Sequence, residues 1–300
     1  MDHLHALKVF VAIAEVASFA GAARKLGLSP PAVTRAVNDL ESHLGLRLLT
    51  RTTRVVRLTE AGERYARDGR AILAAVDEAE RSAAGLHGEP RGRVTLTAPV
   101  LFGTQVVMPV VTDYLARYPQ TSMACLFMDR VVNLFEEGVD VAVRIGELPD
   151  SSLQAVQVGQ LRRVVCAAPA YLAAHGTPQV PAELPDHAIV VSSAATAPLE
   201  WRFGIADGVQ AVKLQPRLTV TANDAARAAA LAGFGITRLL SYQVADALRA
   251  GALTALLADF EPEPLPVHVV HHEGRHASQR VRAFLDLAIA ALREHPALQR

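Results

Sequence analysis

The stretch SPPAVTRAVNDLESHLGLRLLTRTTR, residues 29–54, leaves few options for what is built around it. Ser29 offers a side-chain oxygen to the free N–H groups that open a helix, and Pro30 and Pro31 fill the first turn, where a missing N–H costs little. Val33, Val37, Leu40 and Leu44 then recur at a 4-3-4 spacing, a single apolar stripe on one helical face. Gly45 can take the left-handed conformation that ends such a helix. Pro31, Thr34, Arg35 and Asn38 fall on the opposite face. The following LRLLTRTTRVVRLT alternates and is rich in β-branched residues, but is long enough only for a two-stranded ribbon with Arg51, Thr52, Thr53 and Arg54 at its tip.

A helix with one apolar stripe needs neighbours to cover it. Upstream, LHALKVFVAIAEV places Leu4, Leu7, Val11 and Ala14 on one face, and SFAGAARKLG reads as a second helix between Ser18 and Gly27. Three short helices and a ribbon form a winged helix-turn-helix. Charge supports the reading. The 300-residue chain balances 30 Lys and Arg against 30 Asp and Glu, yet from Phe19 to Leu58 the cations Arg24, Lys25, Arg35, Arg47, Arg51, Arg54 and Arg57 face only Asp39 and Glu41.

Thr59 then caps a long helix with Glu60 and Glu63 in its first turn, where they complement the helix dipole. Tyr65, Ile72, Val76, Ala79 and Ala83 recur at a 7-4-3-4 spacing on an otherwise charged helix, a coiled-coil stripe expected to meet a partner helix. GEPRG, residues 88–92, is a linker. Beyond it strands and helices alternate, which predicts parallel sheets covered on both faces. VVNLFEEG is read as one of these helices, and a last helix runs from Ala277 to about Glu294.

Cys125 and Cys166 lie in apolar strand-like runs and read as buried, reduced thiols. His268, His271, His272 and His276 match neither a helical pair nor a Cys/His finger, so no metal and no cofactor is expected. No basic-then-apolar leader and no 18-residue apolar run are visible, so a cytoplasmic protein with no membrane partner is expected. No nucleophile elbow, dinucleotide fingerprint or phosphate loop supports an enzyme, and no catalytic residue is assigned. An architectural DNA-binding protein without a ligand differs from a ligand-responsive one only in whether a cleft is open and polar.

FAGAARKLGLSPPAVTRAVNDLESHLGLRLLTRTTRVVRLTEAGERY resembles, in order and spacing, the N-terminal domain of LysR-type transcriptional regulators. TAPVLFG, FEEGVDVAVRIGELPDSSL, RRVVCAAPAYLAAHGTP, AALAGFGI and RVRAFLDLAI look like the regulatory domain of the same family, so the resemblance covers essentially the whole chain. It implies an α/β protein with a winged N-terminal domain at 1–58, a dimerising linker helix at 59–87 and a linker at 88–91. Residues 92–300 would then form an effector domain similar to periplasmic binding proteins. Its lobe I would be 92–162 and 267–300, its lobe II 163–266, with crossings near Leu161–Arg163 and Leu265–Val267. The implied partners are a double-stranded DNA operator, a small-molecule effector such as an anionic or aromatic acid, the chain itself as homodimer or homotetramer, and RNA polymerase.

The second helix of a helix-turn-helix pair enters the major groove. Ser29, Pro31, Thr34, Arg35 and Asn38 are therefore the expected base and phosphate contacts, Arg35 suiting guanine and Asn38 adenine. Where many members of the family carry glutamine this chain has Pro30, which shifts readout towards Thr34 and Arg35. Arg51, Thr52, Thr53 and Arg54 suit phosphate or the minor groove. Ligands of such α/β lobes gather at strand ends. The expected contacts are Pro99, Val100, Leu101, Phe102 and Gly103 at a helix start, with Phe127, Met128, Asp129, Arg144, Ile145 and Gly146 at neighbouring strand ends. Across the cleft stand Ser192, Ser193, Asn223, Ile236 and Thr237. Backbone N–H groups at Val100–Gly103 are expected to receive a carboxylate, and Asn223 to cap a helix. GITRLLSYQV, where relatives commonly read GIALLP, departs from the family pattern at Arg238 and Ser241.

Overall fold

The structure, a computed structural model, describes residues 2–51, 56–83, 89–149, 153–192, 199–206, 208–271 and 278–299. The chain divides into two compact units, Met1–Pro90 and Arg91–Arg300.

The first unit contains α1 (His3–Val16), α2 (Phe19–Leu26), α3 (Pro30–Leu44), β1 (Leu49–Arg51), β2 (Val56–Leu58) and α4 (Glu60–Ala83). Each helix boundary has a local cause. Ser18 Oγ accepts from the Gly21 N–H at 3.1 Å, Ser29 Oγ from the Ala32 N–H at 3.4 Å, and Thr59 Oγ1 from the Gly62 N–H at 3.0 Å. Val33, Val37 and Leu40 are fully buried against Phe10, Ile13 and Leu48. The buried face of α1 is wider than the expected Leu4, Leu7, Val11 and Ala14. Val9, Phe10 and Ile13 lie deepest, while Leu4 and Ala14 are half-buried, because α1 packs against α2, α3 and α4 together. The start of α4 meets the ribbon so closely that a Cβ on Gly62 would stand 2.0 Å from the Leu48 carbonyl oxygen.

The second unit runs β3 (Gly92–Ala98), α5 (Val100–Phe102), a π-helical turn at Gly103–Val107, α6 (Met108–Arg117), β4 (Thr121–Phe127), β5 (Val141–Ile145), β6 (Gln154–Leu161) and β7 (Arg163–Ala167). There follow α7 (Pro169–His175), β8 (Ile189–Ser192), β9 (Leu199–Ile205), β10 (Gly208–Leu214), β11 (Pro216–Val220) and α8 (Asn223–Leu231). The chain ends with β12 (Ile236–Leu240), α9 (Ser241–Arg249), β13 (Thr254–Leu256), β14 (Leu265–His271) and α10 (Gln279–Glu294).

These strands build two five-stranded sheets, ordered β4-β3-β5-β14-β6 and β11-β8-β12-β7-β13, and a separate β9–β10 hairpin. The sheets are mixed, not parallel throughout. β14 is antiparallel to β5 and β6, and β7 is antiparallel to β12 and β13. The reason is connectivity. A strand arriving from the other sheet enters where the parallel strands end, so Arg163 at the start of β7 pairs with Leu240 at the end of β12. Leu265 and Pro266 already pair within β14, so the return crossing lies at 257–264, upstream of the expected Leu265–Val267.

VVNLFEEG forms a turn instead of the expected helix. Asn133 Oδ1 accepts from the Phe135 and Glu136 N–H groups at 3.1 and 3.4 Å, and Gly138 takes φ 62°. This side-chain turn competes with the helix and wins in a segment that opens with two β-branched residues. The π-helical turn precedes Pro109, whose ring and missing N–H are incompatible with an ordinary helical register.

Candidate functional site

Burial of the Val33–Val37–Leu40 stripe turns the other face of α3 outward. Ser29, Pro31, Arg35 and Asn38 are exposed, and Thr34 is half-buried. The Thr34 hydroxyl donates to the Pro30 carbonyl at 3.0 Å, leaving its methyl and an oxygen lone pair for a partner. Thr52, Thr53, Arg54 and the Arg51 side chain lie outside the described residues.

Reading the sequence missed Glu41. Its carboxylate is 5% exposed, and Oε1 accepts from the Leu48 and Leu49 N–H groups at 2.8 and 3.0 Å. Arg47 approaches Oε2 at 3.4 Å. Glu41 thus fastens the end of α3 to the first strand of the ribbon. The available signal was its place four residues after Val37, on the buried stripe.

The stripe expected on α4 is divided. The Tyr65 ring packs against Phe10 of α1, with centroids 5.6 Å apart, and belongs to the first unit's own core. Ile72 is 50% exposed and Val76 half-buried. The side chains of Ala79 and Ala83 lie outside the described residues.

In the second unit, the ends of β4, β3 and β5 lie side by side. Pro99 follows β3 directly, but the Val100 N–H does not await a carboxylate from outside. It already donates to Asp129 Oδ1 at 3.0 Å, and Asp129 is held close because the Met128 N–H donates to the Ala98 carbonyl at 2.9 Å. Phe102 is fully buried, and Gly103 lies against the ring of Phe127, where a Cβ would come within 2.4 Å. These three are packing positions. Val100 is exposed, and Leu101 and Met128 are half-buried.

Arg144 donates to the Val132 carbonyl at 3.3 Å. Burial lowers its pKa, Glu137 opposes that shift and Arg130 adds to it. Glu137 is gripped at both oxygens by Arg130, each at 2.7 Å. Ile145 and Gly146 are half-buried, and the Gly146 N–H donates to the Pro266 carbonyl.

In the second sheet, Ser192 ends β8 half-buried, and Ser193 lies outside the described residues. Asn223 is the first residue of α8, not its cap. Ala222 holds the cap position without a side-chain bond, so the Asn223 amide is not used there. Ile236 and Thr237 are completely buried, and the Thr237 hydroxyl has no hydrogen-bond partner among the described residues.

Three side chains not expected in the site stand near the passage between the sheets. Tyr242, at the start of α9, meets Phe102 edge to face at 5.3 Å. Its pKa is pushed up to about 12, chiefly by burial, with the Gln243 hydrogen bond opposing and Asp129 adding to the rise. Arg238 lies over the Trp201 ring at 4.7 Å and donates to the Arg202 carbonyl at 3.2 Å. Burial, and then Arg163, bring its pKa down to about 10. Burial lowers the pKa of Arg163 as well.

Comparison with known proteins places these features in a wider group. Residues 4–63 match the bacterial regulatory helix-turn-helix proteins of the lysR family, and residues 87–293 match the LysR substrate binding domain. A curated HTH-type transcriptional repressor of Pseudomonas aeruginosa is 34% identical, over 100% of this chain and 95% of its own. The regulator CrgA of Neisseria meningitidis serogroup C is also 34% identical, over 95% of this chain and 96% of its own. The solved structure of CrgA, a LysR-type transcriptional regulator from Neisseria meningitidis, superposes with a TM-score of 0.61 at 33% identity, covering 96% of this chain and 98% of that one. Full-length AphB, the Vibrio cholerae virulence activator, gives 0.60 at 27% identity, covering 96% and 98%.

Proposed function

The chain belongs to the LysR family of bacterial helix-turn-helix transcriptional regulators, and from that premise we propose how its own residues carry the role. It binds a two-fold operator as a dimer or tetramer, and a small molecule between the two lobes of its C-terminal domain adjusts that binding. The observation that carries the DNA half is the outward face of α3. Arg35 and Asn38 are exposed opposite a stripe with no accessible surface, and their side chains suit the major-groove edges of guanine and adenine. Ser29, Pro31 and Thr34 flank them, and Arg51, Thr52, Thr53 and Arg54 supply backbone or minor-groove contacts.

One such unit reads few base pairs, so two must act together. Ile72 and Val76 support α4 as the joint, since both leave apolar surface open on a charged helix, with Ala79 and Ala83 continuing the seam. The division into 1–58, 59–87, 88–91 and 92–300 follows from this reading.

The effector reading rests on the strand ends of β3, β4 and β5 on one side and β8 and α8 on the other. Val100, Leu101, Met128, Ser192 and Asn223 are the side chains best placed to meet a ligand, and Ser193 is proposed as a further contact from its place in the sequence. Phe102, Gly103, Phe127 and Ile236 shape the walls from behind. The protein acts as a regulator and not an enzyme, a reading supported by the naming of its relatives as transcriptional regulators. RNA polymerase is a partner where regulation is by recruitment. No helix among the described residues is long and apolar enough to cross a membrane, and the site of action is the cytoplasm, with the operator.

A thermal-shift screen of the full chain against small carboxylates and aromatic acids tests the effector half, because a ligand that binds only the native state raises its melting point. Footprinting on operators selected from genomic fragments, with and without each hit, tests the coupling. Hits that bind without altering any footprint would remove effector control from the reading and leave the DNA half standing.

A further inference from the structure

The second sheet contains a pair of cations with no ion-pair partner among the described residues. Arg238 on β12 is opposite Val165 on β7, and Arg163 lies two residues along β7 on the same face. Diagonal neighbours of this kind stand about 7–8 Å apart, within reach of long side chains. Among the described residues the Arg238 side chain donates to a backbone carbonyl, that of Arg202, and its ring contact is with Trp201. Arg130 and Arg162 of the same unit, by contrast, are ion-paired, with Glu137 and Glu261. Withdrawing two like charges from water beside each other, without an anion, is unfavourable.

The position is also informative. Arg163 follows the single residue that joins β6 to β7, and Arg238 is three residues before Ser241, whose N–H and hydroxyl bond to that joining residue, Arg162. Leu240, on the same face as Arg238, packs against the core of the first lobe, as does Leu161 just before the crossing. Both arginines are only half-buried, so a solute can reach them.

We infer that Arg163 and Arg238 form an anion-binding subsite at the boundary between the lobes, which receives the carboxylate or phosphate group of the effector. Guanidinium forks match both oxyanions, and a bound oxyanion supplies the charge the pair lacks. The subsite deepens the proposed effector reading and rests on it for the word effector, but not for the binding of the anion. It also assigns the head group to side chains in the second lobe, whereas the Val100 N–H of the first lobe is already taken by Asp129.

The test uses the full chain at constant ionic strength in chloride, with benzoate, succinate and inorganic phosphate as probes and benzamide as the neutral counterpart of benzoate. Melting-point titrations should show stabilisation by at least one oxyanion and none by benzamide. Arg163→Gln, at a half-exposed position, and Arg238→Lys, which keeps the charge but loses the fork, should each weaken that anion about tenfold or more, as expected for a lost charge-assisted hydrogen bond. Response to a carboxylate alone, or to phosphate alone, identifies the head group, and either supports the subsite. The inference is overturned if no oxyanion stabilises the wild type beyond chloride, or if both variants bind it with unchanged affinity. An anion that binds through both arginines yet leaves operator footprints unchanged would uphold the subsite and sink effector control.

Discussion

Glu41→Ala should damage the DNA-binding unit more than its place on a surface helix suggests. The carboxylate is the acceptor for two backbone donors at 2.8 and 3.0 Å, and both Leu48 and Leu49 are buried, at 1% and 3% exposure. Truncation leaves the two N–H groups without that acceptor, at about 1–3 kcal/mol each, so about 2–6 kcal/mol together. The Arg47 contact adds little, since that side chain is 76% exposed. A unit of this size loses about 4–8 °C of melting temperature per kcal/mol, and the lower ends of both ranges give a fall of at least about 8 °C. Glu41→Gln retains a carbonyl oxygen in the same place and loses only the charge assistance, so about 1 kcal/mol is expected. Calorimetry of the full chain should show the transition of the first unit falling in the order wild type, Gln, Ala. Hydrogen exchange should speed up at the Leu48 and Leu49 amides before other sites in the ribbon. Equal damage from Gln and Ala, or an unchanged transition for Ala, would refute the role of the carboxylate as the clasp.

Arg35→Ala should weaken a selected operator by about 1–3 kcal/mol, the worth of a bidentate base contact, with an unchanged melting curve; an identical footprint at equal protein concentration would remove Arg35 from the reading face. Ile72→Asp combined with Val76→Asp should split the assembly in sedimentation experiments, because two charges would be desolvated against their own copies; an unaltered sedimentation coefficient would place the seam elsewhere. Burial pushes the Cys166 thiol up to about 12, so native alkylation by iodoacetamide near pH 8 should be roughly a thousandfold slower than for an unfolded thiol titrating near 9. Since the folded pKa is the higher one, the stability this burial implies is complete below about pH 9 and lost as pH rises towards about 12. Rapid labelling of native Cys166 would contradict that burial.

The first unit was legible because its signals are local. Ser18, Ser29 and Thr59 cap helices within three residues, Gly27 and Gly45 end them at φ 65° and 68°, and the 4-3-4 stripe alone determines which face of α3 is buried. Glu41 escaped because a carboxylate on a buried stripe is explained only by its partners seven and eight residues on. In the second unit, VVNLFEEG reads as a helix in the sequence and folds as a turn. Strand direction there is set by where the chain crosses between sheets, which no periodicity records. The Val100 N–H, expected as an open donor, is taken for the same reason: the Asp129 carboxylate that meets it lies 29 residues away and arrives through the pairing of β3 with β4.

The crossings also limit what a ligand can do. One residue, Arg162, joins β6 to β7, and the return passes through 257–264. The Ser241 N–H donates to the Arg162 carbonyl at 2.9 Å, the Arg162 N–H donates to Ser241 Oγ at 3.3 Å, and the Arg162 guanidinium meets both oxygens of Glu261 at 3.2 and 3.0 Å. Both crossings and the start of α9 are therefore tied at one point. The next residue of α9, Tyr242, has its ring against Phe102 inside the first lobe's core. A change of lobe angle must either pivot about this tie with the ring pair intact, or separate Tyr242 from Phe102 and lose about 0.5–1.5 kcal/mol beyond the area exposed. The second route is a discrete step, because close-packed rings do not slide by small increments. Arg238 lies on the strand that leads straight into the tie, so a charge bound there acts where the two lobes are joined. Its effect on operator binding can be no larger than the difference in its affinity for the two angles.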